Sequence, residues 1–195
     1  MLYIVATPIG NLGDMTQRAV EVLCRADVIA AEDTRQSMKL LSHFNISPSK
    51  LVSCHKFNET ASAEGLIAAM KEGRDVAVIT DAGTPCISDP GTHLVERARD
   101  EGIQITAVPG ACAAIAALSV SGFHAASFAF YGFLPRGASD ISNVYQNLRK
   151  SQISVSVFYE SPLRIIKSVE ILEKELPEAR MCLCNDLIRL RLCIC

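Results

Sequence analysis

Short apolar runs alternate with amphipathic segments through the first part of the chain. The clearest run lies within residues 75–80, where Val76, Ala77, Val78 and Ile79 follow one another without a polar interruption. Such runs are typical of parallel strands buried on both faces, and the intervening segments repeat apolar residues at helical spacing. We predict strands at 2–6, 27–31, 51–54, 75–80 and 103–108, and helices at 14–25, 36–44, 61–71, 92–101 and 111–120.

Two details of these helices can be checked. Asp14 has the position of an N-cap, with Gln17 three residues later as in a capping box. In the helix at 36–44, Met38 and Leu41 are predicted to face inward, with Leu40 as a further candidate.

The rhythm changes beyond Gly122. An aromatic strand is predicted at 128–133, a polar loop at 137–142, a strand at 153–159 and a last strand at 179–184. Ser161 followed by Pro162 predicts the start of a helix that runs to about residue 175. Strands separated by helices indicate the α/β class with a parallel sheet. We predict an N-terminal parallel α/β domain at 1–122 and a partial second α/β domain at 123–195.

Composition and charge exclude several classes of protein. With 49% hydrophobic and 21% charged residues, the chain is not of the disordered class. Its formal net charge of −2 disfavours a protein that coats nucleic acid by contacting phosphates. No window approaches the roughly 18 apolar residues of a membrane span, and the N-terminus lacks the features of a signal peptide. We expect a cytoplasmic protein that does not contact a membrane.

Cysteine spacing does not predict a metal site. The chain has eight cysteines, and Cys182, Cys184, Cys193 and Cys195 crowd its end. Their C-x-C spacing is not the C-x₂₋₄-C of structural zinc sites, and no histidine lies in that segment. Residues two apart in a strand share a face, so packing in the core is the favoured interpretation.

Three loops follow predicted strands, where ligands bind in open α/β sheets. The loop at 7–14 is neither G-x-G-x-x-G nor a Walker loop, which weakens nicotinamide-dehydrogenase and nucleotide-hydrolase interpretations. The loop at 81–91 holds two glycines, two prolines and two aspartates and is rigidly shaped. The loop at 108–114 has small residues, which suit either a flat ligand or tight helix–strand packing.

Charged residues follow two further strands, at 32–35 and 55–59. Charges placed directly after buried strands indicate a polar cleft. For Asp33 and Arg35, the alternative to a role in this cleft is that they cap and pair at a helix start. For His55, a general base and a solvent-facing loop histidine both stay open.

Taken together, the motifs resemble one family. They stand in order at 2–14, 31–35, 55–59, 80–91, 108–110, 132–136 and 158–162. This series resembles the tetrapyrrole methylase family of S-adenosylmethionine-dependent methyltransferases. Within that family it looks like the bacterial 16S ribosomal RNA cytidine 2′-O-methyltransferase subfamily, and the resemblance extends from about Leu2 to Asp186.

The resemblance implies a two-domain α/β homodimer that binds S-adenosyl-L-methionine between its domains and modifies 16S rRNA in the small ribosomal subunit. Tyr159 would approach the cofactor from the second domain. The implied cofactor-binding residues are Pro8, Asp81, Gly83, Thr84, Ile87, Cys112, Ala113 and Tyr159.

Methyl transfer to a ribose hydroxyl also requires a group that takes up the hydroxyl proton. Our hypothesis places five residues around the acceptor, with Asp33 or His55 as the base and Arg35 on a phosphate. The five candidate catalytic residues are Glu32, Asp33, Arg35, His55 and Glu59.

The end of the chain departs from the family pattern. After residues 185–187 it reads Ile188-Arg189-Leu190-Arg191-Leu192-Cys193-Ile194-Cys195 in place of the family's continuation. We therefore expect a C-terminally truncated second domain. Two alternatives to rRNA methylation stay open: methylation of a tetrapyrrole or other small molecule, and a form that binds the cofactor without catalysis.

Overall fold

A computed structural model describes residues 1–55, 58–187 and 193–194. Its strands and helices alternate along the chain, after which a short antiparallel pair follows. The strands are β1 (Leu2–Val5), β2 (Val28–Ala31), β3 (Leu51–Ser53), β4 (Val76–Ile79), β5 (Ile105–Val108), β6 (Phe128–Phe133), β7 (Val155–Tyr159), β8 (Leu183–Cys184) and β9 (Cys193–Ile194). The helices are α1 (Gln17–Arg25), α2 (Thr34–His43), α3 (Glu59–Lys71), α4 (Thr92–Asp100), α5 (Ala113–Val120), α6 (Ala138–Lys150) and α7 (Ile165–Glu175). A 3₁₀ turn at Leu12–Asp14 precedes α1.

The first five strands form one parallel sheet in the order β3-β2-β4-β1-β5. Each of the three inner strands has a partner on both sides. The residues of β2 and β4 are all buried, which explains why their sequences are unbroken apolar runs. The mixed α/β fold with a parallel sheet confirms the predicted class.

Helices cover both faces of this sheet. On one face, α3 and α4 contribute Leu66, Ile67 and Leu94 to a core that also holds Val28 and Val76. The other face packs under α1 and α2, where the core residues include Leu23, Ile29, Leu41 and Ile79. Val28 and Ile29 therefore face opposite ways, as neighbours in a strand must.

The chain divides into two compact units, residues 1–112 and 113–195. In the second unit, β6 and β7 pair in parallel, and a small core forms from Leu134, Ile141, Tyr145 and Leu176. In the sequence, the boundary between these units falls before α5. The predicted domain boundary after Gly122, which puts α5 in the first domain, stays a prediction. None of the helices in the described part of the chain has the length and apolar character that a membrane crossing requires.

Five local predictions differ from the structure. Most of the polar segment at 137–142, predicted as a loop, belongs to α6, with Gly137 as the N-cap, because Ile141 and Tyr145 lie one turn apart and are both buried. Thr16, not Asp14, caps α1, since its side chain accepts from the Ala19 N–H. Met38 is 41% exposed, while Ser37 takes the buried position beside Leu41.

The fourth difference concerns the segment after β7. Ser161 opens a turn rather than α7, because its carbonyl accepts from the N–H groups of Arg164 and Ile165. α7 itself begins at Ile165. The predicted strand at 179–184 shortens to Leu183–Cys184.

Candidate functional site at the carboxyl ends of the strands

The predicted site loops of the first unit all leave the same edge of the five-stranded sheet. β4 lies between β2 and β1, but its following helix α4 covers the face opposite to α1 and α2. The loop after β4 therefore diverges from the loops on both its sides. Ligands bind in α/β sheets where neighbouring loops part in this way.

A backbone pair joins the loops after β1 and β4. The Thr7 N–H donates to the Gly83 carbonyl at 2.9 Å, and the Gly83 N–H donates to the Thr7 carbonyl at 3.1 Å. Gly83 has a φ of +90°, which a residue with a Cβ adopts only under strain. Pro8 follows Thr7 and is buried. The pair fixes the position of both loops at the edge of the sheet.

The loop after β5 is attached to the same frame. The Thr84 hydroxyl donates to the Ala111 carbonyl at 3.1 Å. A Cβ built on Gly110 would lie 2.9 Å from the Ala6 Cβ, closer than real Cβ contacts allow. The small residue at 110 thus permits close packing, one of the two interpretations left open for this loop. Cys112 is half-buried, whereas Ile87, in the loop after β4, is 57% exposed.

A second set of bonds connects the ends of β1, β4 and β2 through two buried threonines. The Thr7 hydroxyl donates to the Thr80 carbonyl at 3.0 Å. The Thr80 hydroxyl donates to Glu32 Oε2 at 2.9 Å. Thr7 and Thr80 are 2% and 3% exposed. The Glu32 carboxylate is therefore held against the end of β4 by a buried hydroxyl.

Burial and neighbouring charges act on the acids of this edge. Burial raises the pKa of Glu32, the Thr80 hydroxyl opposes that rise, and the charges of Asp89 and Asp81 add to it. The pKa of Asp81 is likewise raised by burial and by the charges of Asp33 and Asp89, against a backbone hydrogen bond from Asp33. These carboxyl groups hold protons more firmly than ordinary acids do.

Asp33 has a different role from its neighbour Glu32. Asp33 is the N-cap of α2, with Oδ1 accepting from the N–H groups of Arg35 at 2.8 Å and Gln36 at 3.4 Å. These bonds, and the Arg35 guanidinium 3.5 Å from Oδ2, hold the pKa of Asp33 below its ordinary value. The capping alternative is thereby confirmed. The Arg35 side chain is 89% exposed.

His55 lies just beyond the end of β3, the strand that pairs with β2. The Cys54 N–H donates to the Ala31 carbonyl at 2.8 Å, which brings the end of β3 next to the end of β2. The His55 N–H donates to Asn58 Oδ1 at 2.7 Å. Lys56, Phe57 and the side chain of Glu59 lie outside the described residues.

The remaining two predicted residues belong to the second unit. Ala113 is the first residue of α5. Tyr159 ends β7, and its ring lies 4.9 Å from that of Phe130 and 5.5 Å from that of Phe133, both edge-on. The adjacent Glu160 binds Arg164 and Ser168.

Thr7 and Thr80 were missed as site residues from the sequence. Each is a polar residue directly after a buried strand, the signal used for residues 32–35. The sequence analysis places Thr7 in the loop at 7–14 and Thr80 at the end of the strand at 75–80. In the described part of the chain, no group of three or more histidine, cysteine or acidic residues is arranged to hold a metal ion.

Comparison with known proteins decides the family. The model for "Tetrapyrrole (Corrin/Porphyrin) Methylases" matches residues 1–187. The chain belongs to this family. Solved structures with the fold of these methylases include uroporphyrin-III-C-methyltransferase from Thermus thermophilus, at a TM-score of 0.59 and 23% identity over 91% of this chain and 73% of that one. Diphthine synthase matches at a TM-score of 0.64 and 16% identity, over 91% of this chain and 72% of that chain. At these identities the two structures show the fold alone.

Curated relatives are more similar to this chain in sequence than these two solved structures are. "Ribosomal RNA small subunit methyltransferase I" of Vibrio cholerae is 49% identical over 87% of this chain and 58% of the relative. Its namesakes from Haemophilus influenzae and Halalkalibacterium halodurans are 47% and 45% identical, over 92% and 96% of this chain and 63% and 64% of theirs. The chain thus spans between 58% and 64% of the length of these relatives.

Proposed function

We propose that the protein is an S-adenosylmethionine-dependent methyltransferase that acts on the 2′-hydroxyl of a cytidine in 16S rRNA of the small ribosomal subunit. The observation that carries this is 45–49% identity, over most of the chain, to relatives named as rRNA small subunit methyltransferases. These names favour rRNA over the alternative of a tetrapyrrole or other small-molecule substrate.

The edge described above suits a cationic cofactor. Glu32, Asp33, Asp81 and Asp89 gather negative charge there, which attracts a sulfonium and an ammonium group and repels a pyrophosphate. The exposed side chains of Leu12 and Ile87 offer apolar contact for a flat base. S-adenosylmethionine, when bound, supplies the methyl group as an electrophile.

We propose that residues of all three loops hold this cofactor. Pro8 and Gly83 lie at the Thr7–Gly83 backbone pair. Thr84 donates the hydrogen bond to the Ala111 carbonyl, and Cys112 is the residue that follows Ala111. Asp81 is the carboxylate closest in sequence to that pair. Ala113 and Tyr159 stay predictions, as does assembly into a homodimer. The residues proposed for the cofactor are Pro8, Asp81, Gly83, Thr84, Ile87, Cys112, Ala113 and Tyr159.

The charged residues after β2 and β3 are proposed to receive the acceptor ribose. The exposed Arg35 guanidinium, oriented by its pair with Asp33, suits a phosphate next to that ribose. Glu32, His55 and Glu59 complete the set. Holding acceptor and methyl donor in line supplies much of the rate acceleration of such a transfer.

The test is methyl transfer from labelled S-adenosylmethionine to small ribosomal subunits that lack 2′-O-methylcytidine, with the product mapped by mass spectrometry. We expect label on a cytidine 2′-oxygen, and none on subunits that already carry the modification. Transfer to uroporphyrinogen III alone would establish the small-molecule alternative. Cofactor binding without transfer to either substrate would establish the non-catalytic alternative.

A further inference from the structure

We propose that Glu32 takes the proton of the acceptor hydroxyl, and that Thr80 is the positioning residue that aims its carboxylate. The inference rests on the proposed function and deepens it. It assigns the base to Glu32 in place of Asp33 or His55, and it adds Thr80, which is not among the candidate site residues of the sequence analysis.

The first argument is how the two neighbouring acids are used. Asp33 Oδ1 accepts two helix N–H groups, and Oδ2 faces Arg35. To accept a proton, Asp33 would have to weaken the cap of α2 and its ion pair. Glu32 has one oxygen fixed by Thr80 and caps no helix. The Glu32 carboxylate also accepts from the Asp81 backbone N–H. Of the two, Glu32 is the carboxylate that can take up a proton without weakening a helix cap.

The second argument is rigidity. The Thr80 hydroxyl that binds Glu32 is 3% exposed, and the Thr80 carbonyl is itself bound by the Thr7 hydroxyl at 3.0 Å. The carboxylate is therefore aimed by a chain of bonds that begins at the cofactor loop after β1. A base held in one direction transfers protons efficiently only to a hydroxyl placed at that point, and general base catalysis contributes about 10²- to 10⁴-fold.

The third argument is the charge around Glu32. The loop after β4 presents Asp81 and Asp89, α2 presents the Asp33–Arg35 pair, and His55 follows the neighbouring strand β3. The acids and the partial burial raise the pKa of Glu32. A carboxylate with a raised pKa is a stronger base while it remains ionised at neutral pH.

The step balances as a displacement. The hydroxyl oxygen forms a bond to the methyl carbon while the bond from that carbon to sulfur breaks. The electron pair of the broken bond stays on sulfur, which becomes a neutral thioether. The hydroxyl proton passes to Glu32, which is left as a neutral acid and later returns the proton to water. No oxidant, reductant or metal is required.

The first test compares rates of methyl transfer to small ribosomal subunits across pH. We expect Glu32→Gln to lower the rate at least about 100-fold. We expect Thr80→Val to shift the acid limb of the pH profile to higher pH, since the lost hydroxyl bond stabilised the charged form of Glu32. Thr80→Ser keeps the hydroxyl that Thr80→Val removes, so its pH profile should match that of the unmodified protein. Glu72→Gln is the matched control, because Glu72 is an exposed acid beyond α3, paired with Arg74.

A second readout does not depend on turnover. Carboxyl carbons observed by ¹³C NMR give the pKa of Glu32 in the full chain, assigned by its loss in Glu32→Gln. We expect a value above that of an ordinary glutamate, and a further rise in Thr80→Val. An ordinary value that Thr80→Val leaves unchanged would overturn the positioning role of Thr80.

The outcomes separate the inference from the function on which it rests. If the unmodified chain transfers methyl groups to rRNA and Glu32→Gln loses less than tenfold, the assignment of Glu32 is wrong and the proposed function stands. A 100-fold loss in His55→Ala alone would return the base to His55. If the unmodified chain transfers no methyl group to rRNA, the proposed function is wrong and the assignment of Glu32 as its base is overturned with it.

Discussion

Removing the Glu160 carboxylate should destabilise the second unit more than any surface substitution. Glu160 follows β7, and its side chain is 5% exposed. Its Oε1 accepts from the Ser161 N–H at 2.7 Å and lies 2.5 Å from Arg164 Nη2, while Oε2 accepts from the Ser168 hydroxyl at 2.6 Å. Arg164 also donates to the Pro135 carbonyl at 3.1 Å, so the acid indirectly anchors the loop after β6.

The magnitude follows from these contacts. Removing one partner of a buried ion pair costs about 3–5 kcal/mol, and each hydrogen bond to a charged group contributes about 1.5–3 kcal/mol. Arg164 is 31% exposed and can be hydrated when its partner is lost. We therefore expect Glu160→Ala to lower the free energy of unfolding by about 3 kcal/mol, the low end of the range for ion pairs.

Urea unfolding followed by far-ultraviolet circular dichroism measures this change, since the chain contains no tryptophan to report by fluorescence. Glu160→Gln keeps an oxygen for the Ser161 N–H and should lose less. Glu170→Gln, on the exposed side of α7, is the control and should stay within about 0.5 kcal/mol of the unmodified protein. A loss below about 1 kcal/mol in Glu160→Ala would refute the reasoning, because a buried carboxylate with three partners cannot then be a main support of this unit.

Four further substitutions test the same physical account. Burial and the charge of Glu160 raise the pKa of Tyr145 to about 12, so folding favours the neutral form of this side chain. The stability that this preference contributes is fully present below pH 10 and is lost between about pH 10 and 12. Tyr145→Phe should flatten that alkaline fall in urea titrations at successive pH values, and an unchanged slope would contradict the assignment. Gly83→Ala, at a φ of +90°, should cost about 1–3 kcal/mol and weaken cofactor binding, whereas Gly65→Ala, in helix α3 with nothing within 4 Å, should stabilise by about 0.5–1 kcal/mol. Gly110→Ala should cost about 1–3 kcal/mol because its Cβ would lie 2.9 Å from that of Ala6; thermal melts of the three glycine variants would contradict this if they showed equal stability.

The sheet of the first unit could be predicted because burial leaves a direct trace in the sequence. β4 is buried on both faces, so its apolar run at 76–79 has no polar interruption and its bounds differ from the prediction by one residue at each end. The order of the strands could not be predicted. It depends on which faces the helices cover, and that choice is made by packing among residues such as Leu41 and Leu94, which look alike in the sequence.

The errors arose where a polar side chain has two possible uses. The segment at 137–142 is polar enough for a loop, yet the core formed with Leu176 makes it the first turns of α6. Asp14 and Thr16 are both good N-caps, and only the preceding 3₁₀ turn decides for Thr16. In the candidate site, residue identities pointed to the edge of the sheet formed by the carboxyl ends of its strands. The threonine that holds Glu32 became visible only once β2 and β4 were known to be neighbours.

The binding of S-adenosylmethionine to the full chain tests the central claim most directly. Isothermal titration calorimetry with the unmodified protein, with NAD as the control ligand, is the measurement. The account predicts binding of S-adenosylmethionine that Gly83→Ala weakens, and no binding of NAD, whose pyrophosphate meets the acids at the edge of the sheet. No heat with S-adenosylmethionine, or equal binding of NAD, would contradict it.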